Sequence, residues 1–282
     1  MEQVTTKRPD DATKDGAFDT ERYWQNRLSA DDSLVGVGFS TLGHRYNGWI
    51  YRMRRDVFMD RVPKLGIDLP NARVLEIGPG TGFYIDLWHR LGVREVTGVE
   101  LAPVAVERLA ARYPQHSFVQ GDVGAADAPI ETGAYDVVTA FDVMYHIVDE
   151  VMFEQALANI ARSLRPGGLF MVADHFLHHE QSNSRIAEPY VNRTLARYED
   201  ALARHGLEIV QRRPMFVLMN APPDSRSRLR RAWWLAVAGT ASLAEPLGFA
   251  LGAALYPIER QLVRHRAESA SSELMICRRI AA

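Results

Sequence analysis

What this chain lacks narrows its function before any motif is read. It has one cysteine, Cys277, in 282 residues. A disulfide framework and a cysteine-based metal cluster are therefore excluded, and a reducing cytoplasm is the expected compartment. Neither charge sign dominates: 33 Lys and Arg stand against 35 Asp and Glu, for a net charge of −2. The chain thus has no global basic field of the kind that draws nucleic acid. The polar N-terminal stretch lacks the apolar core of a signal peptide. No apolar run reaches ~18 residues without a charge or a proline, so a simple membrane-spanning helix is not expected. The Tyr-x-x-x-Lys pair of a nicotinamide-dependent reductase is missing as well. With 47% hydrophobic residues, the chain can still bury one sizeable core and a smaller subdomain.

The organising stretch is Val74-Leu75-Glu76-Ile77-Gly78-Pro79-Gly80-Thr81-Gly82-Phe83-Tyr84. Arg73 to Glu76 read as the end of a buried strand. Gly78, Gly80 and Gly82 let the backbone turn and approach a ligand closely. Phe83, Ile85, Leu87, Trp88 and Leu91 follow with helical spacing, so a helix opens on the loop. Glu76, two residues before the first glycine, would repel a pyrophosphate but suit a cationic amine. The next strand, Glu95 to Glu100, also ends in an acid, where a ribose diol is usually gripped. An amine plus a ribose describes S-adenosylmethionine better than a nicotinamide dinucleotide. The blander alternative is a glycine turn needed only for packing.

At this point the chain resembles the class I S-adenosylmethionine-dependent methyltransferases, whose first motif is an acid-x-Gly-x-Gly-x-Gly turn. Two further stretches resemble that family: Tyr135–Phe141 running into Asp142-Val143-Met144-Tyr145-His146, and Leu164-Arg165-Pro166-Gly167-Gly168 before a fifth strand. The resemblance covers roughly 70–215 plus the last strand. Strands expected near 72–77, 95–100, 116–120, 135–141 and 168–174 alternate with helices near 82–91, 102–113 and 150–164, the pattern of a parallel sheet covered on both faces. A further helix at 193–205 and strands at 206–210 and 272–277 complete it. The expected fold is α/β, a Rossmann-like seven-stranded sheet with its last strand antiparallel.

The resemblance implies roles for particular residues. Glu76, Gly78, Pro79, Gly80, Thr81, Gly82 and Tyr84 would surround the methionine part of S-adenosyl-L-methionine, and Glu100 with Leu101 the ribose. Gly121, Asp122 and Val123 would hold the adenine, and Phe141, Asp142 and Val143 would complete the cofactor site. Asp122 as a mere loop or cap acid is the alternative. His146 and His175 are the rival bases for an acceptor hydroxyl, against a plain pocket-shaping role for His146. Tyr145 joins the substrate side. The spacing of His175, His178 and His179 beside Glu180 is a weak metal signal, and no metal is expected.

Four segments are expected: a disordered lead over 1–18, a helical lid over 19–70, the cofactor domain over 71–219 and 271–282, and an insertion over 220–270. Gly36, Gly38, Gly43 and Gly48 break the early lid into short helical pieces, followed by an amphipathic helix from Tyr51 to Val62. Tyr46, Trp49 and Tyr51 are lid candidates, with Arg52 or Arg54 for the cofactor carboxylate, or else these aromatics only glue the helices to the sheet. The insertion opens at Pro214 and combines Arg226, Arg228, Arg230 and Arg231 with an apolar run from Trp233 to Leu255. It reads as a substrate cap, as an interfacial hairpin touching a membrane through 232–257, or as a homodimer surface. Together these features point to methyl transfer onto a small apolar or lipid-like acceptor, oxygen before nitrogen or carbon, in secondary metabolism or envelope-glycoconjugate modification. The rivals are a non-catalytic cofactor-binding or membrane-interaction module and a nicotinamide-dependent reductase.

Overall fold

The computed structural model describes residues 18–180 and 190–280. The expected disordered lead therefore falls outside it, apart from Phe18. Seven strands form one sheet: β1 (Arg73–Ile77), β2 (Glu95–Glu100), β3 (Ser117–Gln120), β4 (Tyr135–Phe141), β5 (Leu164–Asp174), β6 (Leu207–Pro214) and β7 (Glu273–Arg279). Their order is β3-β2-β1-β4-β5-β7-β6. β1 to β5 pair in parallel, whereas β7 runs antiparallel to both β5 and β6. The expected seven-stranded sheet with an antiparallel last strand is what forms.

The helices are α1 (Thr20–Ala30), α2 (Gly43–Arg61), α3 (Phe83–Arg90), α4 (Pro103–Arg112), α5 (Glu150–Ser163), α6 (Leu195–Arg204), α7 (Arg228–Leu243) and α8 (Glu245–His265). Alternation along each strand divides the core. Val74, Val137 and Met171 face α2, α3 and α8, while Leu75, Val138 and Phe170 face α5 and α6. Burial on both sides explains why the central strands read as nearly continuous apolar runs. The chain leaves β1 in one direction to β2 and β3, and in the other to β4 and β5. That switch opens a crevice beyond the strand ends where ligands bind in such sheets.

Two boundaries differ from the sequence expectation. β5 starts at Leu164, opposite Tyr135, and Pro214 is the last residue of β6 rather than the first of the insertion.

The lid is less broken than its glycines imply. α2 runs without interruption from Gly43 through Gly48 to Arg61. A mid-helix glycine costs only about 1 kcal/mol, and here burial of Tyr46, Ile50, Met53, Val57 and Phe58 on one face outweighs it. The first turn gains a remote cap: Glu245 accepts hydrogen bonds from the backbone N–H groups of His44 and Arg45, both at 2.8 Å. The insertion folds as the α7–α8 hairpin and packs along α2. Gly248 and Gly252 of α8 meet Tyr46 and Trp49 of α2 so closely that a Cβ on Gly252 would lie 2.2 Å from the Trp49 ring. α1 is held elsewhere, with Gln25 and the Leu28 carbonyl bonded to the start and middle of α4.

Candidate active site

A cavity of about 190 Å³ lies beyond the C-terminal ends of β1, β2 and β4. The glycine turn forms its floor. Gly78 has φ +64°, and a Cβ there would sit 2.7 Å from Val143 Cγ2, so only glycine fits between the turn and the end of β4. Glu100, at the tip of β2, lines the cavity and fixes the turn: its two carboxylate oxygens accept from Gly80 N at 2.9 Å and Ala102 N at 3.0 Å. Burial raises its pKa from the ordinary carboxylate value. Asp122 lines the same cavity while its Oδ1 accepts from Gly124 N at 2.7 Å, so the loop-acid alternative and exposure to the cavity hold together.

Of the expected cofactor residues, Gly78, Pro79, Gly80, Thr81, Tyr84, Glu100, Leu101, Gly121, Asp122, Val123, Phe141, Asp142 and Val143 all line this cavity. Two do not, and both need correction. Glu76 is 1% exposed. Its carboxylate turns into the core, where Trp88 Nε1 donates to it at 3.2 Å and the Thr139 hydroxyl also donates. Burial pushes this carboxyl up to about 7. Direct contact with an amine is therefore not what the geometry provides. Gly82, with φ +82°, opens α3 beneath Leu109 and Tyr113, and a Cβ would come within 2.8 Å of the Tyr113 ring. Packing accounts for that glycine.

The lid residues also separate. Tyr51 lines the cavity. Tyr46 is fully buried and donates its hydroxyl to the Met219 carbonyl at 2.9 Å, and Trp49 packs against Phe249 and Tyr256 of α8. These two glue α2 to the insertion. No residue of 220–270 lines the cavity. The insertion thus backs the lid helix instead of capping the site directly, and Phe216 just before it lies 5.2 Å from the Arg54 guanidinium.

The two histidines occupy different places. His146 lines the cavity, edge-on to Trp24 at 5.0 Å. Neither His175 nor Tyr145 is part of the wall; the Tyr145 ring lies 4.4 Å from the ring of His146 and 5.8 Å from that of His175. Burial pushes the His175 imidazole down to about 4, so it is neutral at physiological pH. Its neighbour Asp174 accepts from the Tyr198 hydroxyl and from His175 N, and burial lifts its carboxyl to about 7. His178 pairs with Asp224 at 2.6 Å, which gives that loop histidine a structural partner.

Sequence reasoning missed the wall that closes over the glycine turn: Trp24 and Leu28 from α1, Val37, Phe83, and Met152 at the start of α5. A signal was present in α1, where Trp24 and Leu28 stand four residues apart in an otherwise polar helix.

Residues 75–172 match the family described as "Methyltransferase domain". This segment is a class I S-adenosylmethionine-dependent methyltransferase domain. The family's cofactor is S-adenosyl-L-methionine. A malonyl-[acyl-carrier protein] O-methyltransferase of Serratia marcescens is 29% identical to the chain over 147 residues, covering 51% of this chain and 54% of the relative. A ubiquinone biosynthesis O-methyltransferase of Xanthomonas oryzae pv. oryzae is 36% identical over 106 residues, covering 36% and 42%. The chain thus spans about half or less of the length of these relatives. Among solved structures, a putative sarcosine dimethylglycine methyltransferase from Galdieria sulphuraria superposes with a TM-score of 0.54 at 16% identity, over 80% of this chain and 85% of the other. The [4+2]-cyclase SpnF superposes with a TM-score of 0.51 at 19% identity, over 81% and 80%. At such identities the likeness concerns the methyltransferase fold alone.

Proposed function

We propose that the chain transfers the methyl group of S-adenosylmethionine to a small apolar acceptor, with a hydroxyl oxygen as the favoured acceptor atom. The observation that carries this reading is Glu100, a carboxylate in the cavity wall bonded to the glycine turn at Gly80. The residues present fit the cofactor. Gly78 leaves a cradle that a Cβ would fill, Glu100 offers a carboxylate to a sugar diol, and Asp122 with Val123 offers one acidic and one apolar neighbour to the adenine. Asp142, in the wall and ion-paired with buried Arg54, would take the amine end. Glu76 supports this from behind, through Thr139 and Trp88.

Bound there, S-adenosylmethionine supplies an already activated sulfonium methyl. The chain's own work is to align an acceptor with it and to exclude water, which is where most of the acceleration in such a transfer arises. Trp24, Leu28, Val37 and Phe83 give the cavity an apolar wall suited to an apolar acceptor. His146, on the wall, orients or deprotonates the acceptor hydroxyl, and Tyr145 with neutral His175 packs next to it. The O-methyltransferase names of the Serratia and Xanthomonas relatives support oxygen as the acceptor atom.

The test has two steps. Calorimetry should show binding of S-adenosylmethionine and none of NADH, and labelled methyl groups should then pass into an organic-soluble product of a cell extract. Binding without any labelled product would leave a non-catalytic cofactor-binding module in place of an enzyme.

A further inference from the structure

The α7–α8 hairpin carries a surface that the cavity does not use. Residues 226–266 contain seven arginines and only two acids, Glu245 and Glu259. Both acids are committed to backbone amides. Glu245 caps α2, and fully buried Glu259 accepts from Val217 N at 2.6 Å and Leu218 N at 2.8 Å. Among the described residues, Arg226, Arg228, Arg230 and Arg266 have no carboxylate partner, whereas Arg260 pairs with Asp56 at 3.2 Å and Arg264 acts electrostatically on Asp60. In a chain of net charge −2, this one element carries four arginines that no carboxylate offsets.

The same hairpin is apolar on its outer face. Leu229, Leu235, Leu243, Leu247 and Ile258 are all exposed, Leu243 at 76%. In helical projection, Leu235 and Leu243 lie opposite the buried Val237 and Ala241, and Leu247 and Ile258 lie away from the buried Gly252 and Glu259. Trp233 Nε1 donates to the Leu218 carbonyl at 3.2 Å, and Glu259 binds the amides of the same short segment. The start of α7 and the end of α8 therefore lie together, which gathers the arginines and Leu229 at one end and leaves Leu243 and Leu247 at the turn.

We propose that this hairpin seats on an anionic phospholipid surface. Its apolar side chains enter the boundary between headgroups and acyl chains, and its arginines meet the lipid phosphates. Neither helix is long and apolar enough to cross a membrane, so the association is interfacial. Charge complementarity selects this occupant. A second copy of the chain would bring the same unpaired arginines and no exposed hairpin acid to the contact. A nucleic acid would pair the arginines but leave five large apolar side chains facing water.

The test is flotation of the full chain with phosphatidylcholine vesicles, with and without about 30% phosphatidylglycerol. The expected result is recovery with the anionic vesicles at least about tenfold above that with neutral ones, falling as salt screens the charges. The double variant Leu235→Glu/Leu243→Glu should lose binding to both vesicles. Arg228→Glu/Arg266→Glu should lose the preference for phosphatidylglycerol. Both pairs are exposed, so melting temperature and S-adenosylmethionine binding should stay as in the parent, which separates this result from any failure of the methyl-transfer reading. Three outcomes would overturn the proposal: equal, low recovery with both vesicles; undiminished binding by both variants; or a dimer in light scattering that the leucine variant dissolves without any vesicle binding by the parent.

Discussion

Arg54, midway along α2, forms an ion pair with Asp142 at the C-terminal end of β4. Asp142 holds φ +60° and is the single non-glycine residue with positive φ among those described. The Arg54 guanidinium also lies 5.5 Å from the Tyr51 ring and 5.2 Å from the Phe216 ring. One cation thereby ties the lid helix, the end of the sheet and the root of the insertion to one point beside the cavity. Arg54→Ala would leave a part-buried carboxylate unpaired, and removing one partner of such a pair costs about 3 kcal/mol or more. Denaturant titration should show that loss, and cofactor affinity should fall with it. Asp142→Asn tolerates the left-handed backbone but strands the arginine, so it should be less stable than the parent while the double variant Arg54→Met/Asp142→Asn recovers part of the difference. A double-mutant cycle with no coupling would show that the pair does not join the helix to the sheet.

Glu100 tests the cofactor site more directly. Its carboxylate both fixes the turn and faces the cavity. Glu100→Ala should weaken S-adenosylhomocysteine binding by about 1–3 kcal/mol, the scale of a lost charge-assisted hydrogen bond. Glu100→Gln keeps an acceptor and should lose less. A dissociation constant unchanged in both variants would remove the ribose role.

Buried Glu76 predicts a pH dependence. Its carboxyl titrates near 7 in the folded chain against an ordinary value of 4.5, with burial as the cause. The folded state holds this proton more tightly than the unfolded state does. The stabilising contribution is therefore complete below about pH 4.5 and is lost as pH rises through about 7. Asp174 acts in the same direction, from 3.8 up to about 7. Glu76→Gln should lose about 1–3 kcal/mol less stability than the parent between about pH 5 and 8. Unfolding free energies measured across that range decide it. Parallel curves for parent and variant would place the titration elsewhere.

How much of this could be read beforehand depended on where each cause lies along the chain. The strands β1 to β5 were legible because their apolar runs and the acids or glycines after them are local. The site's position followed, since strand ends at a switch point are fixed by topology. α2 was misread because what caps its first turn is Glu245, some 200 residues further on. Glu76 was placed on the correct strand end but given the wrong outlook, because Trp88 and Thr139 turn its side chain inward. The insertion's composition was visible, but which of its faces meets α2 depends on Gly248 and Gly252 fitting against Tyr46 and Trp49. No local pattern carries that information.

The histidines separate by position. His146 is on the cavity wall and His175 is not, so His146→Ala should lower kcat by about 10² or more, the usual contribution of a positioned base. His175→Ala should act mainly on the acceptor KM. Because His175 is held near 4 and stays neutral, its removal should leave the acid limb of the rate profile above about pH 5 unmoved. Normal turnover in both variants would mean that alignment alone drives the transfer.

Two helical glycines in the insertion make opposite predictions. Gly252 of α8 faces Trp49, and a Cβ there would stand 2.2 Å from Trp49 Cδ1. Gly252→Ala should force α8 away from α2 and destabilise the chain by about 1–3 kcal/mol, the cost of overpacking a close contact. Gly239 lies within α7 with nothing near the position of an added Cβ. Gly239→Ala should instead stabilise by about 0.5–1 kcal/mol, by reducing the freedom of the unfolded chain and favouring helix. Thermal melts of the two variants compare them directly. Because α8 supports the lid through α2, Gly252→Ala should also weaken cofactor binding, and Gly239→Ala should not. Equal effects of the two substitutions on binding would uncouple the insertion from the cavity.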